Sequence, residues 1–175
     1  MVLAREPSAV FLLVGFSKGD AAYQEQVERK ARELGGGDHV RLLSYPGPIG
    51  DVWQAIDIQV HASTYDSLPN ALIEGMSLAK PIVATTVGGV PDMLQDTESA
   101  LLVPPGDGRA LATALLRVLQ EPVLAARLGE AAHRRYLAGY RAPIMTRRLE
   151  GCFAELAARP RRGTGRLPAP QRSPS

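Results

Sequence analysis

The chain has one cysteine, Cys152, so neither an internal disulfide nor a cysteine-based zinc cluster is open to it. Nothing in it approaches the run of about 20 apolar residues that a membrane span needs. The run "AVFLLVGF" is eight residues long, follows Glu6 and leads into Lys18 and Asp20. It suits a buried strand better than a secretory signal, and the cytoplasm is the expected compartment. G-x-G-x-x-G at a strand-to-helix turn and G-x-x-x-x-G-K-[ST] are also missing, which removes a dinucleotide fingerprint and a P-loop nucleotide hydrolase from the candidates. The three histidines, His39, His61 and His133, show no metal-ligand spacing.

Positive charge is scarce once one segment is set aside. The formal net charge is +2 and the pI 8.9, yet the last sixteen residues, "PRRGTGRLPAPQRSPS", hold four Arg and no acid. Without them, 16 basic residues face 18 acidic ones. The basic pI therefore belongs to a tail and gives little reason to expect a nucleic-acid partner. Residues 160–175, rich in Pro, Arg, Gly and Ser, lack the apolar side chains that offset ordering entropy, and disorder is expected there. Such a tail reads as a solvated end or as a docking segment with at most peripheral membrane contact. With 175 residues and 45% hydrophobic content, the chain is long enough for one well-buried domain, taken as 1–159.

What is present is an alternation of short apolar runs and helical patterns. "AVFLLVG" reads as a first strand, and Asp20 as the cap of a helix with Tyr23, Val27, Ala31 and Leu34 on one face. "HVRLL" is a second strand, a short helix spans Asp51 to Ile56, and "IDIQVHA" is a third strand. Pro69 suits the first turn of a helix ending near Ala79. "PIVATT" and "ALLVP" are the fourth and fifth strands, Asp107 caps a helix carrying Leu111, Leu115 and Leu119, and Pro122 and Pro143 begin two more. In the last of these, Met145, Leu149, Cys152, Phe153 and Leu156 fall on one apolar face, which places Cys152 in the core. The alternation predicts an α/β fold, a Rossmann-like parallel sheet flanked by helices on both faces.

In such sheets ligands gather at the carboxyl ends of the strands, which directs attention to Gly15–Gly19, Ser63–Asn70 and Val87–Pro91. In "YDSLPNALIEGMS", Asp66 precedes a helix and Glu74 follows eight positions later, about one turn inside it. Asn70, Glu74 and Ser77 make a polar stripe, while Leu72, Ile73, Met76 and Ala79 make an apolar one. Free N–H groups at the helix start would bind a phosphate, and the carboxylates would accept hydrogen bonds from hydroxyls on either side. A sugar nucleotide has that layout. From spacing alone the plainer reading, Asp66 as a turn or cap residue and Glu74 as a solvated helix residue, is the favoured one. His61, at the end of a strand, reads as a structural imidazole or a ligand contact; His39 and His133 read as surface residues.

The segment "YDSLPNALIEGMSLAKPIVATTVGGVPDML" resembles the E-x7-E region of the retaining GT-B glycosyltransferases, glycosyl transferases group 1 or family 4. The likeness extends to "FLLVG" upstream and "SALLVPPGD" downstream. It implies the C-terminal, donor-binding half of a GT-B fold that transfers a hexose from a UDP- or GDP-sugar to a hydroxyl acceptor without a metal. By resemblance, Glu74 binds the ribose hydroxyls and Asp66 lies near the hydroxyls of the transferred sugar. Ser67, Leu68, Pro69 and Asn70 present backbone amides to the diphosphate and sugar. The loop of Ser44 and Tyr45 lies by the base, and Gly15 lets the ligand approach closely. Gly88 and Gly89 either contact the ligand or form a turn.

The chain departs from the pattern at Asp66 and Asp92, where the family usually has Glu; the shorter side chain withdraws the carboxylate by about 1.5 Å. The acceptor-binding N-terminal domain is expected to be absent, as are the Arg and Lys that neutralise the diphosphate; Lys18 lies in the first loop. A separately encoded acceptor-binding half is the implied partner, with little transfer by this chain alone. The alternatives are a noncatalytic nucleotide-sugar-binding module or inactive remnant, and a nucleotide-sugar epimerase of related fold.

Overall fold

The computed structural model describes residues 1–15 and 21–158. The expectations for Lys18, for Asp20 as a helix cap and for the tail 160–175 lie outside these residues. Strands and helices alternate in the order β1 (Phe11–Val14), α1 (Ala21–Glu33), a 3₁₀ turn (Gly37–His39), β2 (Val40–Leu43), α2 (Ile49–Ala55) and β3 (Gln59–His61). They continue through α3 (Asn70–Ser77), β4 (Ile82–Thr85), α4 (Val90–Met93), β5 (Leu101–Val103), α5 (Gly108–Gln120), α6 (Pro122–Gly139) and α7 (Ala142–Ala158).

All five expected strands form, and every pairing is parallel. They make two sheets where one was expected: β1 pairs with β2, and β4 lies between β3 and β5. The third strand is shorter than its apolar run because Lys80 Nζ takes the carbonyls of Ile56 (2.6 Å) and Gln54 (3.4 Å) before pairing begins. Beyond β3, the Thr85 hydroxyl donates to the Ser63 carbonyl at 2.6 Å and draws the chain away from the ladder.

The larger sheet is covered on both faces, as continuous apolar strands require. Val83, Leu101 and Val103 face Leu115, Leu116, Val118, Leu124 and Leu128 of α5 and α6. Ile82 and Ala84 face the other way, into a cluster with Leu72, Met76, Val90, Met93 and Ala132. Every residue of β4 is buried. Burying about ten such side chains, each worth about 1.5–3 kcal/mol, makes this sheet the centre of the fold.

Local signals fall near their expected places. Pro69 stands just before the first residue of α3 rather than within its first turn. That helix stops at Ser77, because the Leu78 N–H turns back to Gly75 and Ala79 adopts a left-handed φ of 54°. The Asp107 carboxylate accepts from Ala110 N at 2.9 Å and caps α5 as anticipated. The short α4 was not anticipated. The apolar face of α7 is a correction: Met145, Leu149, Phe153 and Leu156 are exposed and so is Cys152, because no neighbouring element covers that face among the described residues. On α1, Val27 and Ala31 are half-buried, whereas Tyr23 is exposed, as is Leu34 just beyond the helix.

Candidate functional site

Four loops leave the carboxyl ends of β1 to β4, and their bonds link the residues singled out from sequence. Gly15, with φ of 116° that only glycine tolerates readily, donates its N–H to Leu43 O at 3.4 Å, joining the first loop to the end of β2. Tyr45 follows two residues on. Its hydroxyl donates to Asp51 Oδ2 at 2.7 Å, which ties the loop to the first turn of α2. Because the proton is held in that bond beside a carboxylate, the phenol titrates above its usual range.

From α2 the connection passes to the acid pair. Trp53 Nε1 donates to Glu74 Oε2 at 2.7 Å across 21 residues of sequence. Glu74 projects from the first turns of α3, whose opposite face is anchored by the fully buried Leu72 and Met76. Gly75 is needed for more than low bulk, since a Cβ there would overlap the side-chain amide of Gln59. Gln59 is buried and donates to Ala71 O at 2.8 Å, so β3 and α3 are locked together beneath the glutamate.

Asp66 lies on the loop ahead of α3, with His61 Nε2 3.3 Å from Asp66 Oδ2. Despite that distance no hydrogen bond forms between them, and the buried Nε2 has no hydrogen-bond partner among the described residues. His61 therefore stands beside the site. The other two histidines are not simple surface residues: Nδ1 of His39 meets Ala9 O at 3.0 Å, and Nδ1 of His133 meets Met76 O at 3.1 Å.

Gly88 and Gly89 pack on the same loop. Gly89 N donates to Ser67 O at 2.7 Å, and Gly88, at a φ of 47°, lies where a Cβ would overlap the Asp66 carbonyl. Whatever else they contact, these glycines hold the Asp66–Ser67 backbone. Ser67 and Leu68 are exposed, Pro69 is buried, and Asn70 opens α3 with no side-chain cap on its first N–H groups.

Sequence reasoning missed Trp53 and Gln59, whose partners are remote in sequence. It also overlooked that Gly15 to Gly19 has the G-x-S-x-G spacing of a hydrolase nucleophile turn; Ser17 lies outside the described residues. Among the described residues no three His, Cys, Asp or Glu side chains gather as a metal-ligand set, and no helix is long and apolar enough to cross a membrane.

Comparison with known proteins agrees with the resemblance drawn from the motifs. The family model described as glycosyl transferases group 1 matches residues 1–121. The lipopolysaccharide core biosynthesis glycosyltransferase LpsE of Rhizobium meliloti is 27% identical over 131 residues, 75% of this chain and 37% of that protein. The chain spans about a third of the length of such curated relatives. Among solved structures, sucrose-phosphate synthase of Thermosynechococcus elongatus superposes with a TM-score of 0.81 at 29% identity, over 90% of this chain and 41% of that one. Anabaena Alr3699/HepE in complex with UDP gives a TM-score of 0.79 at 20% identity, over 85% of this chain and 42% of that one, a likeness of fold.

Proposed function

Because the chain belongs to the glycosyl transferases group 1, we propose that it forms the donor-binding side of a retaining hexosyltransferase using a UDP- or GDP-sugar. Its fold is that of a GT-B glycosyltransferase domain. The observation that carries the proposal is the uncapped start of α3 between the segments bearing Asp66 and Glu74. The contrast with α5 is direct: there the Asp107 carboxylate accepts from Ala110 N, whereas no side chain caps the start of α3. An anionic diphosphate is the group such a helix start favours.

In this reading the diphosphate lies across the amides of Ser67, Leu68 and Asn70, with Pro69 shaping the turn. Glu74 accepts from the ribose hydroxyls, Asp66 from hydroxyls of the sugar, and Tyr45 borders the base. Transfer breaks the bond from the anomeric carbon to the phosphate oxygen and forms one from that carbon to the acceptor oxygen. The acceptor's proton and the nucleoside diphosphate leave. Charge developing on the diphosphate is what the helix start stabilises. The acceptor would be held by a further half, in keeping with a match that covers only about a third of each of those relatives. No step here calls for a metal.

Calorimetric titration of the chain with UDP, GDP and ADP tests the proposal, with UDP first because the Anabaena neighbour was crystallised with it. One nucleotide is expected to bind, and Glu74→Gln to weaken it by about 1–3 kcal/mol, the range for a buried polar group deprived of its partner. A folded chain that ignores all three would sink the donor-site reading.

A further inference from the structure

We propose that Trp53 is a positioning residue for Glu74, fixing which carboxylate oxygen faces the nucleotide; this rests on the donor-site reading above. An indole N–H can only donate, so the 2.7 Å contact has one direction and holds Oε2. Among the described residues no other group bonds to the Glu74 carboxylate, which leaves Oε1 as the acceptor for a ligand hydroxyl. A glutamate side chain has three rotatable bonds and loses considerable freedom when ordered. Holding one oxygen in advance removes that cost from the binding step.

Trp53 is itself held, which a positioning residue requires. Its neighbour Val52 is buried, Tyr45 bonds Asp51 at the start of α2, and Lys80 bonds the carbonyls of Gln54 and Ile56 at its end. The Trp53 ring is half-buried, between solvent and α3. The helix is thus pinned at both ends around the one residue that reaches the acid.

Trp53 is the chain's single tryptophan, so the indole emission comes from this site alone. The test titrates the full chain with UDP, GDP and ADP, following both heat and emission, in wild type, Trp53→Phe, Glu74→Ala and the double variant. Loss of one hydrogen bond predicts Trp53→Phe to weaken the bound nucleotide about 3- to 10-fold. In the Glu74→Ala background the same change is expected to cost less than about 2-fold, because its target is gone. Losses that simply multiply would show that Trp53 acts without Glu74 and overturn the proposal. Should Trp53→Phe fail to fold, the emission decides: a change at saturating nucleotide in wild type, absent from Glu74→Ala, supports the proposal, and an equal change in both overturns it. Failure of wild type to bind any of the three nucleotides overturns the donor-site reading and the positioning role together, whereas binding with multiplying losses removes the positioning role alone.

Discussion

Gly88 and Gly106 both have positive φ, 47° and 78°, yet only Gly88 has backbone where a Cβ would be. Alanine at Gly106 is expected to lose only the conformational term, about 1–2 kcal/mol. Alanine at Gly88 meets that cost and also pushes the Asp66 carbonyl, so its urea midpoint should fall further than that of Gly106→Ala. Equal shifts would mean that the Asp66 loop does not rest on the glycine. The residue scale also shows where a linear motif stops informing. Asp66 and Glu74 were visible because they share one short segment with a helix start. Trp53 and Gln59 were not, because each meets α3 only after α2 and β3 have packed beside it. An indole or amide carries no spacing signal toward a partner on another element.

At the scale of elements, α6 passes close to the end of α3. A Cβ on Gly129 would overlap the Ala79 carbonyl, where the backbone already turns left-handed. Gly129→Ala should therefore destabilise by about 1–3 kcal/mol, as overpacking does, measured by urea denaturation. Helix α7 offers the opposite case. Leu149→Gln or Phe153→Gln should change stability by no more than about 0.5 kcal/mol, whereas Leu128→Ala, fully buried on α6, should cost about 2–5 kcal/mol. Periodicity found the apolar face of α7 correctly as a face. It carries no information on whether another element covers that face, and the placing of Cys152 in the core failed for that reason. The strands fared better, since apolar runs bounded by Pro and Gly leave few alternatives; the shortness of β3 and the division into two sheets escaped the pattern.

The whole molecule is unequal in its two sheets. Every residue of β4 is buried between two apolar clusters, while β1 is half-buried at best and α1 buries nothing fully. Local opening should follow that gradient. Hydrogen exchange is expected to be slowest at Val83 and Ala84 and markedly faster along Leu12 to Val14. Equal protection in both sheets would show that the chain opens only as one unit. The open face of α7 adds a redox consequence. Cys152 stands in solvent and no second thiol exists in the chain. Under air or mild oxidant a disulfide can join only two copies, helix to helix, and a thiol reductant should return the covalent pair to single chains.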